Sequence, residues 1–405
     1  MTERARTSLR MARTQGLFAL RVGALTASGM LLGLLVWRQN WPGVLLLLSV
    51  GWRMANVGLG AFAFMAGYYL ACAHEAPLAV TRFFPAAAAG FGPLLWVTQA
   101  FALALPYGGL YRFGPAGLML ALVLTALPPL GAIGWLSPLL AAGSWFPATA
   151  VAGLVAMLLL FACTASPWAA MLRRWRRCAA LLSLSAWAQL PLHAATAPLP
   201  PGWVALDTHS GRYPRDAMAI LLREARLEQR VRAALKSGAT LVLLPESAVG
   251  VWAPWVADSW RQTVDLARRQ DAVLLLGAEI PRSDGRWADA LLVRGALHGQ
   301  LEARVPIPFG MWRPWDKISC RANWFGTGLV ILRQHELALS FCYEDTLMFP
   351  LLWSFFRGHP QAIVSLADDW FAQGMTEPAV QRDALLAQAQ LYGVPVLRAL
   401  NAPLP

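Results

Sequence analysis

The chain has 405 residues, of which 57% are hydrophobic and only 14% charged, with a net charge of +12 and a mean hydropathy of +0.47. An average soluble domain is about half apolar and about a quarter charged, so this composition excludes a wholly soluble globular protein, a disordered chain and a disulfide-rich scaffold. Thirteen arginines, no lysine and two acids lie before residue 201, so nearly all of the positive charge belongs to the N-terminal half.

Apolar runs fill this half and predict about seven transmembrane helices. Crossing the hydrocarbon core of a bilayer takes about 20 apolar residues. The runs are 17–37, 41–52 (short), 54–73, 86–106, 116–135, 146–166 and 179–196. We therefore expect a multi-span α-helical membrane domain over residues 1–198, in which the glycine-rich stretch 58–67 allows close helix packing.

The placement of arginine predicts the orientation of this domain. Four arginines precede the first run and four more lie at 173–177, and loops rich in arginine stay in the cytoplasm. An odd number of spans then places everything after about residue 200 in the periplasm of a bacterial inner membrane. Because the arginines lie between apolar runs that carry few polar groups, we expect neither direct nucleic-acid binding nor a proton-relaying transporter.

Residues 199–405 follow a different pattern, which predicts a periplasmic α/β domain. Short β-branched and leucine-rich runs alternate with amphipathic stretches, as in strands and helices packed in layers. The predicted strands are 203–208, 240–245, 272–277, 288–294, 328–333, 338–342, 362–366 and 394–399, and the predicted helices are 214–236, 257–270, 346–357 and 378–392.

Two of these strands end at residues that could carry chemistry. The strand at 240–245 delivers Glu246 to its carboxyl edge, where open sheets place their sites, and the strand at 338–342 runs into Cys342. A carboxylate base beside a thiol at the start of a helix is suited to acyl transfer through a thioester. From spacing alone, a buried structural cysteine beside surface acids is the favoured interpretation.

Five short motifs stand out in the second half. They are Pro-Glu-Ser-Ala at 245–248, Val-Pro-Ile-Pro-Phe-Gly at 305–310, Phe-Cys-Tyr-Glu at 341–344, Ala-Asp-Asp-Trp-Phe at 367–371 and Leu-Arg-Ala-Leu-Asn at 397–401. These motifs resemble the nitrilase (carbon–nitrogen hydrolase) superfamily, which implies an α-β-β-α sandwich. A multi-span domain followed by such a domain resembles apolipoprotein N-acyltransferase, and residues 304–315 are most similar to TraB-type conjugal transfer proteins.

The resemblance also implies roles for single residues. In the superfamily a Glu–Lys–Cys triad carries out the chemistry, and Glu246 matches the general base and Cys342 the nucleophile. Glu344 matches an accessory acid that holds the site together. The lysine is missing, because this chain has Ala303 at that position, and Met311 replaces a glutamate of the acyltransferase pattern.

Arg304 is the expected replacement for the lysine. We expect its guanidinium to turn into the pocket and pair with Glu246 or Glu344; the alternative is that it points to solvent. An arginine would supply charge but no proton transfer. No cofactor and no metal are expected, and the residues expected to line or flank the substrate pocket are Tyr343, Phe309, Trp312, Asp369 and Trp370.

Three functions remain open. The leading one is an inner-membrane, nitrilase-fold protein of conjugal-transfer type that forms a thioester and transfers an acyl or amide group. The second is a catalytically silent membrane scaffold in conjugation or envelope assembly. The third is a lipoprotein N-acyltransferase, which is disfavoured because the chain ends four residues after Asn401, without that enzyme's final span. The expected partners are the lipid bilayer, a phospholipid or lipoprotein acyl substrate, and proteins of the conjugation apparatus.

Overall fold

The computed structural model describes residues 3–84, 90–166 and 198–404, with the backbone alone for 3–13, and divides into two compact units. The first comprises Met1–Leu78, Ala87–Phe146 and Val151–Leu192, and the second Ala79–Ala86, Pro147–Ala150 and His193–Pro405. The second unit therefore contains the C-terminal half together with two short segments from the N-terminal half.

Helices make up the described part of the first unit. Prolines limit several of them: Pro42 and Pro138 begin short 3-10 turns, and α6 ends at Ala126 just before the Pro128–Pro129 pair. The helices, two of which have residues in both units, are α1 (Glu3–Arg38), α2 (Leu47–Met54), α3 (Gly58–Cys72), α4 (Ala76–Phe83), α5 (Phe91–Gly109), α6 (Gly114–Ala126), α7 (Ala141–Trp145) and α8 (Ala150–Thr164).

Glycines bring two of these helices into close contact. A Cβ at Gly67 of α3 would lie 2.1 Å from the carbonyl oxygen of Thr26, and one at Gly29 of α1 would lie 1.9 Å from that of Phe64. Only a residue without a side chain allows such an approach, which confirms the packing role predicted for the glycine-rich stretch.

Two of the described helical segments are long and apolar enough to cross a membrane, Thr14–Arg38 and Phe91–Ala126. A third candidate, Pro138–Trp145 with Ala150–Thr164, is bent by 114°. The predicted spans 41–52 and 54–73 correspond to apolar helices shorter than a bilayer crossing, and 86–106 and 116–135 each overlap the long segment Phe91–Ala126. The predicted span 179–196 lies outside the described residues, so the count of about seven stays a prediction.

The second unit contains two β-sheets. The first sheet has the strand order β1-β2-β3-β4-β5: β1, β2 and β3 pair in parallel, and β4 pairs antiparallel with both β3 and β5. The second sheet has the order β6-β7-β8-β9: β6 pairs antiparallel with β7, and β7, β8 and β9 pair in parallel. The strands are β1 (Trp203–Ala205), β2 (Leu241–Leu243), β3 (Val273–Pro281), β4 (Trp287–Gly295), β5 (Gly299–Glu302), β6 (Leu329–Leu332), β7 (His335–Phe341), β8 (Ala362–Asp368) and β9 (Val396–Asn401).

The sheets pack face to face and helices cover their outer faces. Alternate residues such as Leu243, Leu275 and Leu291 of the first sheet share one core with Leu339 and Val364 of the second. The other face of the first sheet packs on α9 (Ala217–Lys236) and α10 (Pro254–Arg269). On the second sheet, α11 (Phe349–Arg357) packs against β7, and α12 (Glu377–Tyr392) contacts the turn that follows it. This is the α-β-β-α order expected from the sequence.

Candidate functional site

Glu246 lies three residues beyond β2, in a loop held tightly against the neighbouring strand. A Cβ on Gly277 of β3 would lie only 2.0 Å from the carbonyl oxygen of Pro245, so the loop passes where only glycine fits. Ser247 has a positive φ of 50°, which turns the chain sharply after Glu246. The Glu246 side chain is buried, with 9% of its surface exposed.

Cys342 lies at the carboxyl end of β7 in the second sheet, as Glu246 lies beyond the carboxyl end of β2 in the first. It is the first residue of a 3-10 turn, Cys342–Thr346, that follows β7 directly. Its thiol lies close enough to the Glu246 carboxyl for each group to affect the pKa of the other, and its Sγ lies 3.7 Å from Oδ1 of Asp369. The Gln381 side-chain amide donates to the Cys342 carbonyl at 2.6 Å and approaches Sγ at 3.5 Å. The two strand ends that the sequence singled out therefore meet in one site.

Acidic groups dominate the electrostatics around this thiol. Burial, followed by the charges of Glu246 and Asp369, raises the pKa of Cys342 well above its ordinary value. Burial, followed by Asp289 and Asp368, likewise raises the pKa of Glu246. Burial raises the pKa of Asp368 to about 7 and that of Asp369 to about 6. These shifts favour the neutral form of both the Cys342 thiol and the Glu246 carboxyl.

Glu344 is fully buried and binds the segment next to Ala303, the position at which the superfamily has its lysine. Its Oε1 accepts the backbone N–H groups of Arg304 at 2.6 Å and Val305 at 2.9 Å. Its Oε2 pairs with the Arg304 guanidinium at 3.2 Å. Glu344 therefore fixes the segment that follows β5 against the turn containing Cys342.

Arg304 pairs with Glu344, one of the two partners expected for it, and its role as a replacement for the lysine stays a prediction. Its guanidinium is 1% exposed and donates to the carbonyl oxygens of Pro350 and Leu339, each at 2.6 Å, and to Oγ of Ser354 at 2.7 Å. None of these partners is Glu246 or Cys342. The guanidinium is therefore directed toward β7 and α11, whereas the neighbouring Ala303 packs in the space between the sheets.

Ala303 faces that space. It belongs to the core shared by the two sheets, and its N–H donates to the carbonyl oxygen of Asp289 at 2.8 Å. The register of β4 and β5 pairs Ala290 with Glu302, so Asp289 and Ala303 are the next cross-strand neighbours, on the inner face. The sequence drew no attention to Asp289, because one acid in an apolar strand is typical of an outward position; its alternation with Leu291 and Val293 was the available signal.

A second cation, also missed from the sequence, does lie near the thiol. Arg398 of β9 approaches carboxylate oxygens of Asp369 and Asp345, each at 3.7 Å, and donates to the side-chain oxygen of Gln381. Gln381 and Asp369 each contact both Arg398 and the Cys342 thiol, so they connect the guanidinium to the thiol. The Leu-Arg-Ala-Leu-Asn motif contained this arginine, but only the pairing of β8 with β9 brings it beside the Asp368–Asp369 pair.

The residues expected to line or flank the pocket lie in two places. Tyr343 is largely buried beside Cys342, and Asp369 is buried against it. Trp370 stacks on Phe83 with ring centroids 5.9 Å apart and lies under the guanidinium of Arg212 at 5.4 Å.

Phe309 and Trp312 lie in the other of these two places, an aromatic loop that follows Arg304 in the chain. Phe309 is 43% exposed and stacks on Trp315 at 5.9 Å, and Trp312 packs edge to face on Trp324 at 5.4 Å. Hydrogen bonding of the Phe309 N–H to the Trp312 carbonyl at 2.8 Å closes this loop.

Two other features of the described residues bear on the chemistry. They contain no cluster of three or more His, Cys, Asp or Glu side chains suited to a metal ion. Cys320 is buried, and both it and Cys342 are free thiols, so the two cysteines are not joined.

Comparison with known proteins places the chain in a family. No protein-family model matches it. Solved structures similar to about half of it include an amidase of the nitrilase superfamily from Nesterenkonia AN1 (16% identity, 50% of this chain and 78% of that one, TM-score 0.37) and a carbon–nitrogen hydrolase from Helicobacter pylori G27 (15%, 48% and 72%, 0.36).

Two curated proteins match nearly the whole chain. A probable conjugal transfer protein TraB from Sinorhizobium fredii (strain NGR234) is 28% identical over 379 residues, covering 89% of this chain and 94% of that protein. The conjugal transfer protein TraB from Agrobacterium fabrum (strain C58) is 31% identical over 401 residues, covering 92% of this chain and 91% of that protein. With that identity along almost the full length of both proteins, the chain belongs to the TraB family of conjugal transfer proteins.

Proposed function

We propose that this nitrilase-fold conjugation protein is a membrane-anchored acyltransferase whose Cys342 forms a thioester. The observation that carries the proposal is the proximity of Glu246 to Cys342, which brings the carboxyl end of β2 in one sheet beside that of β7 in the other. A thiol and a neighbouring base, largely withdrawn from water, are the two groups that nucleophilic catalysis requires.

The reaction has two halves with balanced proton movements. In the first, ionised Glu246 takes the Cys342 proton, sulfur attacks the carbonyl carbon of an ester or amide donor, and Glu246 returns the proton to the departing alcohol or amine. In the second, an amine or water attacks the thioester, the carbon–sulfur bond breaks, and sulfur recovers a proton through Glu246. A developing oxyanion on the carbonyl would be stabilised by hydrogen-bond donors close to Cys342, such as the side-chain amide of Gln381.

The arginine distribution and the apolar helices support a finer proposal about location. The protein would lie in the bacterial inner membrane with the nitrilase-like unit in the periplasm, where phospholipid or lipoprotein could donate the acyl group. Proteins of the conjugation apparatus are the proposed macromolecular partners.

The direct test is mass spectrometry of the Cys342 peptide. The full-length protein in detergent is incubated with alkyne-labelled phosphatidylethanolamine and, separately, with a p-nitrophenyl ester. We expect a hydroxylamine-sensitive acyl adduct on Cys342, retained in Cys320→Ser and reduced at least about a hundredfold in Glu246→Gln, because base catalysis contributes factors of that order. An adduct on Cys320 instead, or undiminished labelling in Glu246→Gln, would contradict the proposal.

The site also offers an observation in favour of a silent scaffold. Ala303 removes the lysine of the superfamily triad, and the neighbouring acids keep the thiol protonated. A scaffold predicts that Cys342→Ala leaves plasmid transfer frequency unchanged and that no donor labels wild-type protein. An acyltransferase predicts loss of transfer in Cys342→Ala with normal transfer in Cys320→Ser.

A further inference from the structure

Asp289 is a buried carboxylate without a counterpart. Its side chain is 2% exposed, and neither of its oxygens has a hydrogen-bond partner among the residues that the structure describes. It alternates along β4 with Leu291 and Val293, which face the core between the sheets, so it points into the same interior. An unsatisfied buried carboxylate is costly, and its persistence calls for a partner from outside the chain.

The groups around Asp289 are acids from several elements. Glu279 of β3 is its direct cross-strand partner. Beyond the effect of burial, the charges of Asp368 and Glu344 raise the pKa of Asp289, and the charge of Asp289 raises the pKa of Glu246. The thiol of Cys320 is a further titratable neighbour. Within 3–84, 90–166 and 198–404, no arginine, lysine or histidine forms an ion pair with Asp289 or Glu246.

The geometry shows where a positive group would enter. Ala303 is the cross-strand neighbour of Asp289 on the inner face, and its side chain ends at Cβ. Arg304, which adjoins Ala303 in the sequence, donates its side-chain hydrogen bonds to residues of β7 and α11. The region between Asp289 of β4 and Glu246, which follows β2, therefore contains two carboxyl groups, and neither Ala303 nor Arg304 supplies a cation to it.

We propose that Asp289 and Glu246 bind the ammonium group of a primary amine, which is the acyl acceptor and takes the electrostatic place of the missing lysine. This inference rests on the proposed acyl transfer for the acceptor role, whereas the cation site rests on Asp289 alone. A primary ammonium offers three tetrahedral N–H donors, enough for both carboxylates at once, while a planar guanidinium pairs best with one.

The acceptor's protons balance without an added reagent. Of the three ammonium protons, one passes to Glu246, which frees the nitrogen lone pair to attack the thioester carbonyl carbon. The carbon–sulfur bond breaks, a second proton goes to the Cys342 sulfur, and the third stays on the amide nitrogen. The ammonium thus neutralises the acids before the step and supplies the nucleophile during it.

The test measures cation binding apart from acylation. Full-length Cys342→Ala protein in detergent is titrated calorimetrically with n-butylammonium in two buffers of different ionisation enthalpy. We expect one site, with proton release, because burial and the surrounding acids raise the pKa of Asp289 and the bound cation ionises it. Butan-1-ol, of similar shape but uncharged, should not bind.

Three variants decide the outcome. Asp289→Asn should weaken n-butylammonium binding at least tenfold, as expected when one partner of a buried charge pair is neutralised, whereas the surface control Asp265→Asn should not. Ala303→Lys should abolish binding, because its own ammonium would occupy the site, and this variant decides the matter if Asp289→Asn fails to fold. Equal affinity in Asp289→Asn, binding of butan-1-ol, or binding of Mg²⁺ in place of the amine would overturn the inference.

Wild-type protein separates the two proposals. If Cys342 is acylated, n-butylamine should discharge the thioester to N-butylamide, and Asp289→Asn should slow that step more than the acylation. If no donor acylates Cys342 yet n-butylammonium binds through Asp289, the acyltransferase proposal fails and the cation site stands.

Discussion

Replacing Arg304 by alanine tests whether this arginine is a structural group rather than the pocket cation. The guanidinium joins Glu344 to α11 and to β7, and a Cβ on Gly328 would lie 2.3 Å from its Nη1, so the chain leaves space for it. Breaking a buried pair by removing one partner costs about 3–5 kcal/mol. For a unit of about 200 residues this lowers the unfolding midpoint by roughly 6–20 °C.

The control is Arg333→Ala. Arg333 pairs with Asp271 at 2.7 Å, but the two side chains are 47% and 76% exposed, and such surface pairs contribute about 0–1 kcal/mol. Thermal unfolding in detergent, with hydrogen exchange of peptides covering 335–357, should show a large loss and local exchange in Arg304→Ala only. Similar midpoints for the two variants would refute the anchoring role, and an intact fold with lost Cys342 acylation would return Arg304 to the pocket.

Three further predictions follow from the site. Gln381→Met should slow alkylation of Cys342 by iodoacetamide and move its pH profile upward, since the donor to Sγ is lost, while Gln270→Met should match wild type. The pKa of Asp368 is raised to about 7, so its stabilising effect is complete below about pH 4 and is lost as pH rises through 7; the thermal midpoint of Asp368→Asn relative to wild type should therefore increase from pH 5 to pH 8. A reporter fused after Pro405 should be active only in the periplasm and one at 167–178, outside the described residues, only in the cytoplasm, and the reverse pattern would contradict the proposed topology.

Strand ends were the most informative signal in the sequence. An apolar run that stops at a proline predicted where Glu246 emerges, and one that runs into Cys342 predicted the second half of the site, because the carboxyl ends of packed strands converge. Strand β5 escaped prediction: its four residues, Gly-Gln-Leu-Glu, have no β-branched side chain and form a strand through pairing with β4.

The remaining misses have a common physical cause. The direction of the Arg304 side chain and the interior position of Asp289 are both fixed by tertiary packing, which the local sequence does not reveal. Apolar content alone likewise does not reveal where helices end, as at Pro42, which begins a short 3-10 turn inside an apolar run.

The opposite facing of Ala303 and Arg304 has a consequence for comparing relatives. An alignment that opens a one-residue gap before position 304 would superpose this arginine on the superfamily lysine and report a conservative exchange. The side chains it equates lie on opposite sides of the chain, one toward Asp289 and the other toward α11. Relatives are better sorted by whether the residue facing Asp289 carries a charge, since that property separates proteins that supply their own cation from those that must acquire one.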